Sequence, residues 1–571
     1  MTAILGLNCY KHDASAALFI DGVLVGASEE ERFTRRKHDA EYPEKAIGFL
    51  LREAGLKPSD IDHVAFYMVP GKIRRESFRA YRGYMFKPGA VRFLLGQLQG
   101  SARMSSIPAK MRGHLGEGFK PKFHFIDHHE AHAWSAWLGA GCRDAAVLTM
   151  DGAGEMHSSL LGSISSHGLV EYARTHLPAS PGLFYSAVTS FLGFTPDNDE
   201  YKVMGLSSYG KPEYLDLFRR IIRGESGRFV IDHRLLDVTR GVHHSNFSGE
   251  VIDIIGKPRD PAQGEPNTRH ENIAASAQRA LEEAGMAVVK YLRAKAKEDL
   301  LVVSGGVALN CVMNGLFERE SGFSEVIPFP APNDAGTSVG AAAAVHRIVA
   351  PDTPLKPVET MYLGPGYSRT DIDEDLRMAK LYPEKPGKLA QRVASLLAEG
   401  KVVALFQGRM EFGPRALGNR SILADPRRPE MKDIVNSVVK HREGFRPFAP
   451  ACLEEEAGRY FLGCGSSPHM IKTYPVVEGM AEVIPAVTHV DNTARVQTVS
   501  REDNPFYYDV IRAFFDITGV AVILNTSFNI RGEPIVNTPV DAVRCFYGTG
   551  IDALAMPPYL FMKESSPEEK D

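Results

Sequence analysis

The chain has 571 residues, of which 44% are hydrophobic and 24% charged, a balance that excludes a disordered, collagen-like or coiled-coil protein and predicts packed globular domains. Its 66 basic and 70 acidic residues leave a net charge of −4, so there is no overall electrostatic footprint for nucleic acid or an anionic membrane. The start lacks the basic-then-apolar order of a signal peptide, no apolar run approaches 18 residues, and the six scattered cysteines form no CxxC pair, which together predict a cytoplasmic protein with reduced thiols and no membrane span.

Along the chain, residues 3–8 are apolar and are followed by the polar loop Cys9-Tyr10-Lys11-His12-Asp13, a strand over 14–20, a turn at Asp21-Gly22 and a strand over 23–27. The same order returns at 145–150, with the loop Asp151-Gly152-Ala153-Gly154-Glu155 and strands over 158–164 and 169–173. This predicts an internal duplication, two β-meanders that together build a cleft. A buried strand over 300–303 runs into Ser304-Gly305-Gly306-Val307-Ala308-Leu309-Asn310, a strand-to-helix turn whose glycines let backbone approach a ligand. Asp334 heads an alanine-rich helix, and Pro351, Pro354 and Pro357 then mark a linker, which places a second domain from about residue 360. That domain alternates strands (402–406, 521–524) with helices (389–398, 506–515) and reads as α/β. From residue 409 to 446 it carries nine Lys or Arg against five acids, a density that suggests a small anionic ligand.

Three constellations carry chemistry. In Asp127-His128-His129-Glu130-Ala131-His132 the histidines His128 and His132 are four apart, so both imidazoles lie on one helix face. The glutamate of an HExxH protease is missing, and Asp151 and Asp334, each on a glycine-flanked loop, are available as third and fourth ligands for Fe(II), Mn(II) or Zn(II). His12 sits in the loop after the first strand, where a neutral ring can act as a general base. The stretch from Gln407 to Ser421 interleaves three glycines with Arg409, Arg415 and Arg420, and Lys440, Arg446, Arg495 and Asn525-Thr526-Ser527-Phe528-Asn529 are candidates to complete a phosphate site with it. Neither a GxxxxGK[ST] loop nor a GxGxxG turn in a fitting context occurs.

The motifs Gly6-Leu7-Asn8, His12-Asp13-Ala14-Ser15, Glu29-Glu30-Glu31-Arg32-Phe33, His128-His129-Glu130-Ala131-His132, Gly305-Gly306-Val307-Ala308-Leu309-Asn310, Gly413-Pro414-Arg415-Ala416-Leu417-Gly418, Arg446-Pro447-Phe448-Ala449-Pro450 and Leu524-Asn525-Thr526-Ser527-Phe528-Asn529 resemble, in order and from end to end, the NodU/CmcH/TobZ O-carbamoyltransferases. The resemblance implies an α/β protein with an N-terminal actin-like ATPase domain (1–358), similar to threonylcarbamoyl transferases and built on a duplicated βββαβα unit, and a C-terminal YrdC-like domain (359–571). The second domain would turn carbamoyl phosphate and ATP, with Mg2+, into carbamoyl adenylate. The first would pass the carbamoyl group to a hydroxyl of a natural-product or sugar acceptor. It implies His128, His132, Asp151 and Asp334 as ligands of Fe2+ or another divalent transition metal, and Gly305, Gly306 and Asn310 as the loop holding adenosine. It implies His12 as the catalytic histidine, and Arg415, Lys440, Arg446, Arg495, Asn525 and Ser527 as the carbamoyl phosphate and adenylate site. The expected partners are small molecules, with neither nucleic acid nor membrane among them, and a homodimer is compatible with this. An actin-fold small-molecule kinase and a tRNA threonylcarbamoylation-type enzyme are the alternatives. The first leaves the basic stretch unexplained, and the acidic overall balance opposes the second.

Overall fold

The computed structural model describes residues 1–81, 90–239, 241–242, 246–440 and 442–563. The chain divides into two compact units, the first formed by Met1–Glu31 and His38–Glu359, the second by Arg32–Lys37 and Thr360–Asp571. The excursion of Arg32–Lys37 into the second unit has a physical basis within that unit. Arg32 donates to the Gly413 carbonyl at 2.9 Å, and Arg35 donates to the Ile535 and Pro534 carbonyls at 2.6 and 2.8 Å.

In the first unit, β1 (Ala3–Asn8), β2 (Ser15–Ile20), β3 (Val23–Glu29), β4 (His63–Phe66) and β5 (Lys122–Phe125) form a sheet in the order β3-β2-β1-β4-β5. The meander is antiparallel, and β1, β4 and β5 run parallel. Next come β6 (Ala145–Met150), β7 (His157–Ser165) and β8 (Gly168–His176), the hairpin of β9 (Ile222–Glu225) and β10 (Arg228–Ile231), then β11 (Leu300–Ser304) and β12 (Glu325–Pro328). The second five-stranded sheet has the order β12-β11-β6-β7-β8, again an antiparallel meander with its first strand parallel to the last two. Counted within each half, the two orders are identical, which is the duplicated actin-like ATPase fold. The apolar runs of β1, β6 and β11 are buried throughout, as strands covered on both faces require, whereas the edge strand β8 is partly exposed.

Each sheet is covered by a helix from the other half. The helix Thr337–Val349 packs on β1, β2 and β4, the helix His128–Gly139 packs on β6, β7 and β11, and the two helices pack on each other. Close approach depends on small residues, with Ala341, Ala342, Ala343 and Ala344 all buried. A Cβ at Gly340 would lie 1.7 Å from the Ala131 carbonyl oxygen. The loops after β1 and β6 meet at the same end of the unit, where Lys11 donates to the Ala153 and Gly154 carbonyls at 3.1 and 2.8 Å.

The second unit is built on a seven-stranded mixed sheet. Its strands are β13 (Val403–Phe406), β14 (Arg420–Ala424), β15 (Ala449–Leu453), β18 (Gln497–Val499), β19 (Val522–Ser527), β20 (Ala553–Met556) and β21 (Tyr559–Met562), and a separate ribbon pairs β16 (Thr473–Pro475) with β17 (Thr493–Arg495). The order β18-β15-β19-β14-β13-β20-β21 puts β19 and β14 at the centre, so Ser421, at the end of the 407–421 stretch, lies opposite Ser527. Among the described residues no helix is long and apolar enough to cross a membrane, and the six cysteines form no disulfide.

The helix contact at Gly340 yields a prediction. Replacing Gly340 by Ala forces a methyl into backbone, an overpacking that costs about 1–3 kcal/mol or more. A lowered melting temperature together with weaker divalent-ion binding is expected; a variant that melts like the parent would show that the helices separate without cost.

Candidate functional site

The N-terminal ends of the two packed helices carry the first site. Asp127 caps the helix His128–Gly139 by accepting from the backbone N–H groups of His129 and Glu130, and it is itself paired with Lys72 and Arg174. Four residues apart on that helix, His128 and His132 turn their Nε2 atoms toward each other at 3.2 Å. Asp151, directly after β6, lies 2.9 Å from His128 Nε2, and Asp334, in the short turn Asp334–Gly336, lies 3.7 and 3.9 Å from the two rings. The ligand-type atoms of His128, His132, Asp151 and Asp334 all fall within 4.8 Å of one another. Ser304 stands 3.2 Å from Nδ1 of His132 and fixes which nitrogen of that ring faces inward.

The electrostatics of the group call for a cation. Burial and the charge of Asp151 push the Asp334 carboxyl up to about 6, while burial and the charge of His128 hold His132 well below the ordinary histidine range. For His128, burial is outweighed by the charges of Asp334 and Asp151, which raise it. Two nitrogens and two carboxylates converging in this way suit a divalent first-row ion. Asp151 also accepts from the Gly306 N–H at 3.0 Å, which ties the 305–310 turn to this group. Gly305 is required there, with φ +94° and a Cβ position 2.1 Å from the Met150 carbonyl oxygen. Asn310 caps the helix Cys311–Glu320 and exchanges hydrogen bonds with Gln278, itself bonded to Tyr185 and Glu282.

His12 follows β1 and donates or shares a proton through Nδ1 with Asp13 at 2.8 Å. Burial alone would lower its ring, but the hydrogen bond and charge of Asp13, with the charges of Asp334 and Asp197, push it up to about 10.

In the second unit Lys440 is fully enclosed. Its Nζ donates to the Ser527 carbonyl, to Asn529 Oδ1 at 2.8 Å and to the Asn529 carbonyl at 3.0 Å, with Ser527 Oγ at 3.3 Å. Burial and the charges of Arg442 and Arg446 hold it well below the usual lysine range. Asn525 donates to the Ala416 carbonyl, next to Arg415, and to Gln497, whose own amide donates to the Leu417 carbonyl. Arg495 ends β17, two residues before Gln497. The structure therefore brings Lys440 and Ser527 into contact, bonds Asn525 to Ala416, the residue after Arg415, and puts Arg446 close enough for its charge to act on Lys440.

Residues 3–343 match the model for the carbamoyltransferase N-terminus and residues 394–563 match that for the carbamoyltransferase C-terminus. The chain belongs to the carbamoyltransferase family. It is 37% identical to nodulation protein NolNO of Sinorhizobium fredii over 98% of this chain and 81% of that protein. It is also 37% identical to an uncharacterized protein of Synechocystis over 100% of this chain and 98% of the relative. With the 3'-hydroxymethylcephem-O-carbamoyltransferase of Amycolatopsis lactamdurans it shares 37% identity over 45% of this chain and 47% of that enzyme. The sequence's resemblance and its reading as an enzyme of carbamoyl transfer are met by these matches.

Within this carbamoyltransferase's basic stretch, several cations bond to the protein itself. Arg420 is fully buried over the Phe406 ring and donates to the Gln407 and Asn419 carbonyls; Arg409 donates to the Leu363 and Gly364 carbonyls; Arg427 pairs with Asp425. Buried Glu411 accepts from the N–H groups of Leu417, Asn419 and Arg420 through one oxygen and so shapes the loop that presents Arg415. Lys11, Ser304, Gln278, Glu411 and Gln497 were not singled out from sequence, where only their place beside a motif marks Lys11, Ser304 and Glu411.

Ligation by Asp334 requires its carboxylate, so protons compete with the ion. Affinity for Mn2+ or Zn2+, followed by equilibrium dialysis, should fall as the pH drops through about 6, by up to about tenfold per pH unit for one displaced proton. Replacing His128 and His132 together by Ala should weaken binding more than about a hundredfold. Retention of the ion by that double variant would remove the four residues as a metal group.

Proposed function

We propose that the protein is an ATP-dependent O-carbamoyltransferase that works in two half-reactions. In residues 359–571, read as a YrdC-like domain, water takes the phosphoryl group of carbamoyl phosphate to give phosphate and carbamate, and the carbamate oxygen attacks the α-phosphorus of ATP, as its magnesium complex, to give carbamoyl adenylate and release pyrophosphate. In residues 1–358 the carbamoyl group passes to a hydroxyl of a small acceptor and AMP leaves. The observation that carries this reading is Lys440, a buried amine whose hydrogen-bond partners among the described residues are neutral oxygens and whose charged form is disfavoured by burial and by the charges of Arg442 and Arg446. A buried charge of this kind is costly unless a ligand brings the opposite charge, and carbamoyl phosphate and ATP are both anions. Arg415, Arg446, Arg495, Asn525 and Ser527 would share the binding of those phosphates, since arginine forks and hydroxyls neutralise charge that builds on phosphorus during adenylation.

For transfer, His128, His132, Asp151 and Asp334 would hold an iron(II) or similar divalent ion, which when bound supplies positive charge to the adenylate phosphate. Gly305, Gly306 and Asn310 would hold the adenosine, the glycines letting backbone come close to it. His12 would take the proton of the acceptor hydroxyl as that oxygen attacks the carbamoyl carbon once its ring, raised to about 10, has lost its own proton, so transfer should rise with pH toward that value. The name of the Amycolatopsis relative, which carbamoylates a hydroxymethyl group, supports oxygen as the attacking atom. A natural-product or sugar hydroxyl is the acceptor class, and no polymer is needed.

The test incubates the full chain with ATP, carbamoyl phosphate and a panel of hydroxylated sugars, aminoglycosides, macrolides and cephems, reading pyrophosphate by a coupled enzyme and product by mass gain. His12→Asn is expected to cut product by about two to four decades and leave pyrophosphate release standing. Lys440→Met should cut pyrophosphate release itself by about one to two decades. Equal loss of both signals in the His12 variant would defeat the separation of the half-reactions.

A further inference from the structure

In the second unit, His489 is an imidazole without a role in either half-reaction. It opens a tight turn ahead of β17, where its backbone N–H donates to the Thr493 carbonyl at 2.8 Å and the Asn492 N–H donates to the His489 carbonyl at 3.0 Å. A chain of side-chain hydrogen bonds then fixes the ring. Asp491 Oδ1 accepts from the Thr493 backbone N–H at 3.0 Å and from the Thr493 hydroxyl at 2.7 Å. A carboxylate only accepts, so the single hydroxyl proton of Thr493 points to Asp491, and Oγ1 offers only lone pairs to His489 Nδ1, 3.2 Å away. This network places the ring proton on Nδ1. The other nitrogen, Nε2, is buried and has no hydrogen-bond partner among the described residues. A buried acceptor of this kind is costly unless a ligand or a water supplies the donor. Asp491, Thr493 and His489 thus form a series of carboxylate, hydroxyl and imidazole, in which the first two orient the third as a base.

The surroundings say what such a base would meet. Arg495, one of the arginines read as a phosphate ligand, ends β17 two residues after Thr493, and Lys432 lies in the helix Met431–Val435. Burial lowers the His489 ring to about 4, with the charge of Asp491 opposing this and the charges of Arg495 and Lys432 adding to it. The ring is therefore uncharged in neutral solution and its Nε2 lone pair is open. Two cations near enough to act on the ring call for an anion. An anion bound to them cancels their effect and makes the ring more basic, so the substrate itself would raise the strength of the base. Of the two steps read for this unit, only one needs a base. Carbamate is already an anion when it attacks ATP, whereas the water that attacks carbamoyl phosphate has a proton to lose.

We propose that His489 is the catalytic base of that first step, its Nε2 taking a proton from the water that attacks the phosphorus of carbamoyl phosphate, while Thr493 and Asp491 are positioning residues that hold the ring. The water oxygen forms a bond to phosphorus, and the bond from phosphorus to the carbamoyl oxygen breaks with its electrons on that oxygen. Carbamate and hydrogen phosphate result, with the proton on Nε2, from which it passes to solvent before the next turnover. The inference rests on the adenylation reading given to residues 359–571.

Carbamate, formed in a mixture of ammonium and bicarbonate, skips this step and supplies the test. Pyrophosphate release from ATP by the full chain is followed with carbamoyl phosphate and, separately, with carbamate, bicarbonate alone serving as the blank. In His489→Asn, whose amide can still donate to Thr493, release from carbamoyl phosphate is expected to fall by about two to four decades, and release from carbamate to stay at the parent rate. Thr493→Val, a change that suits a strand, removes the hydroxyl that orients the ring and is expected to show the same split with a smaller loss. It decides the matter if His489→Asn does not fold. Equal losses with the two substrates, or no loss with carbamoyl phosphate, overturn the inference in either variant. Failure of the adenylation reading would look different, because the unsubstituted chain would then release no pyrophosphate with either substrate.

Discussion

At Gly340 the helix Thr337–Val349 runs so close to the Ala131 carbonyl of the helix His128–Gly139 that no side-chain carbon fits between them. This contact sets the geometry of the first unit. Each helix covers the sheet of the opposite half, so fixing their distance fixes where the ends of β1 and β6 lie relative to each other. It also brings the two helix starts together, and with them His128, His132 and Asp334. Asp151 arrives from the end of β6. A group of two imidazoles and two carboxylates, each costly to bury alone, is held together by packing that happens elsewhere.

The second unit has the opposite electrostatics. Where the first gathers carboxylates around a place for a cation, the second buries Lys440 among neutral oxygens with Arg442 and Arg446 near. Glu411 and Arg420 bond to the backbone of the 407–420 loop and hold its shape. One chain thus carries a buried convergence of imidazoles and carboxylates in its first unit and a buried lysine among neutral oxygens in its second.

Much of this was legible in order along the chain. The apolar run of 145–150 is β6 to the residue, the expected helix at 389–398 is Leu389–Ala398, and the duplicated meander became two sheets of identical order. The four residues expected to ligate a metal converge. Other features were not legible. The long helix Thr268–Lys295, which supplies Gln278 and Glu282, had drawn no expectation, since its apolar residues carry no motif. Counting charge between 409 and 446 overstated the free cations, because a sequence does not say that Arg420 lies over Phe406 or that Arg427 pairs with Asp425.

The division between the two kinds of knowledge follows the range of the interaction. Spacing along one helix or strand is a local property, so the sequence alone determined that His128 and His132 share a face, that Asp151 and Asp334 sit in glycine-flanked turns, and that alternating and apolar runs make the strands. Which groups meet across the fold depends on how the sheets and helices pack, and no periodicity records that. Only the tertiary structure joined Lys11 to Ala153, Lys440 to Asn529, and His38 through Asp13 to His12, 26 positions away along the chain. His38 likewise meets Asn198, 160 residues further on, only after folding.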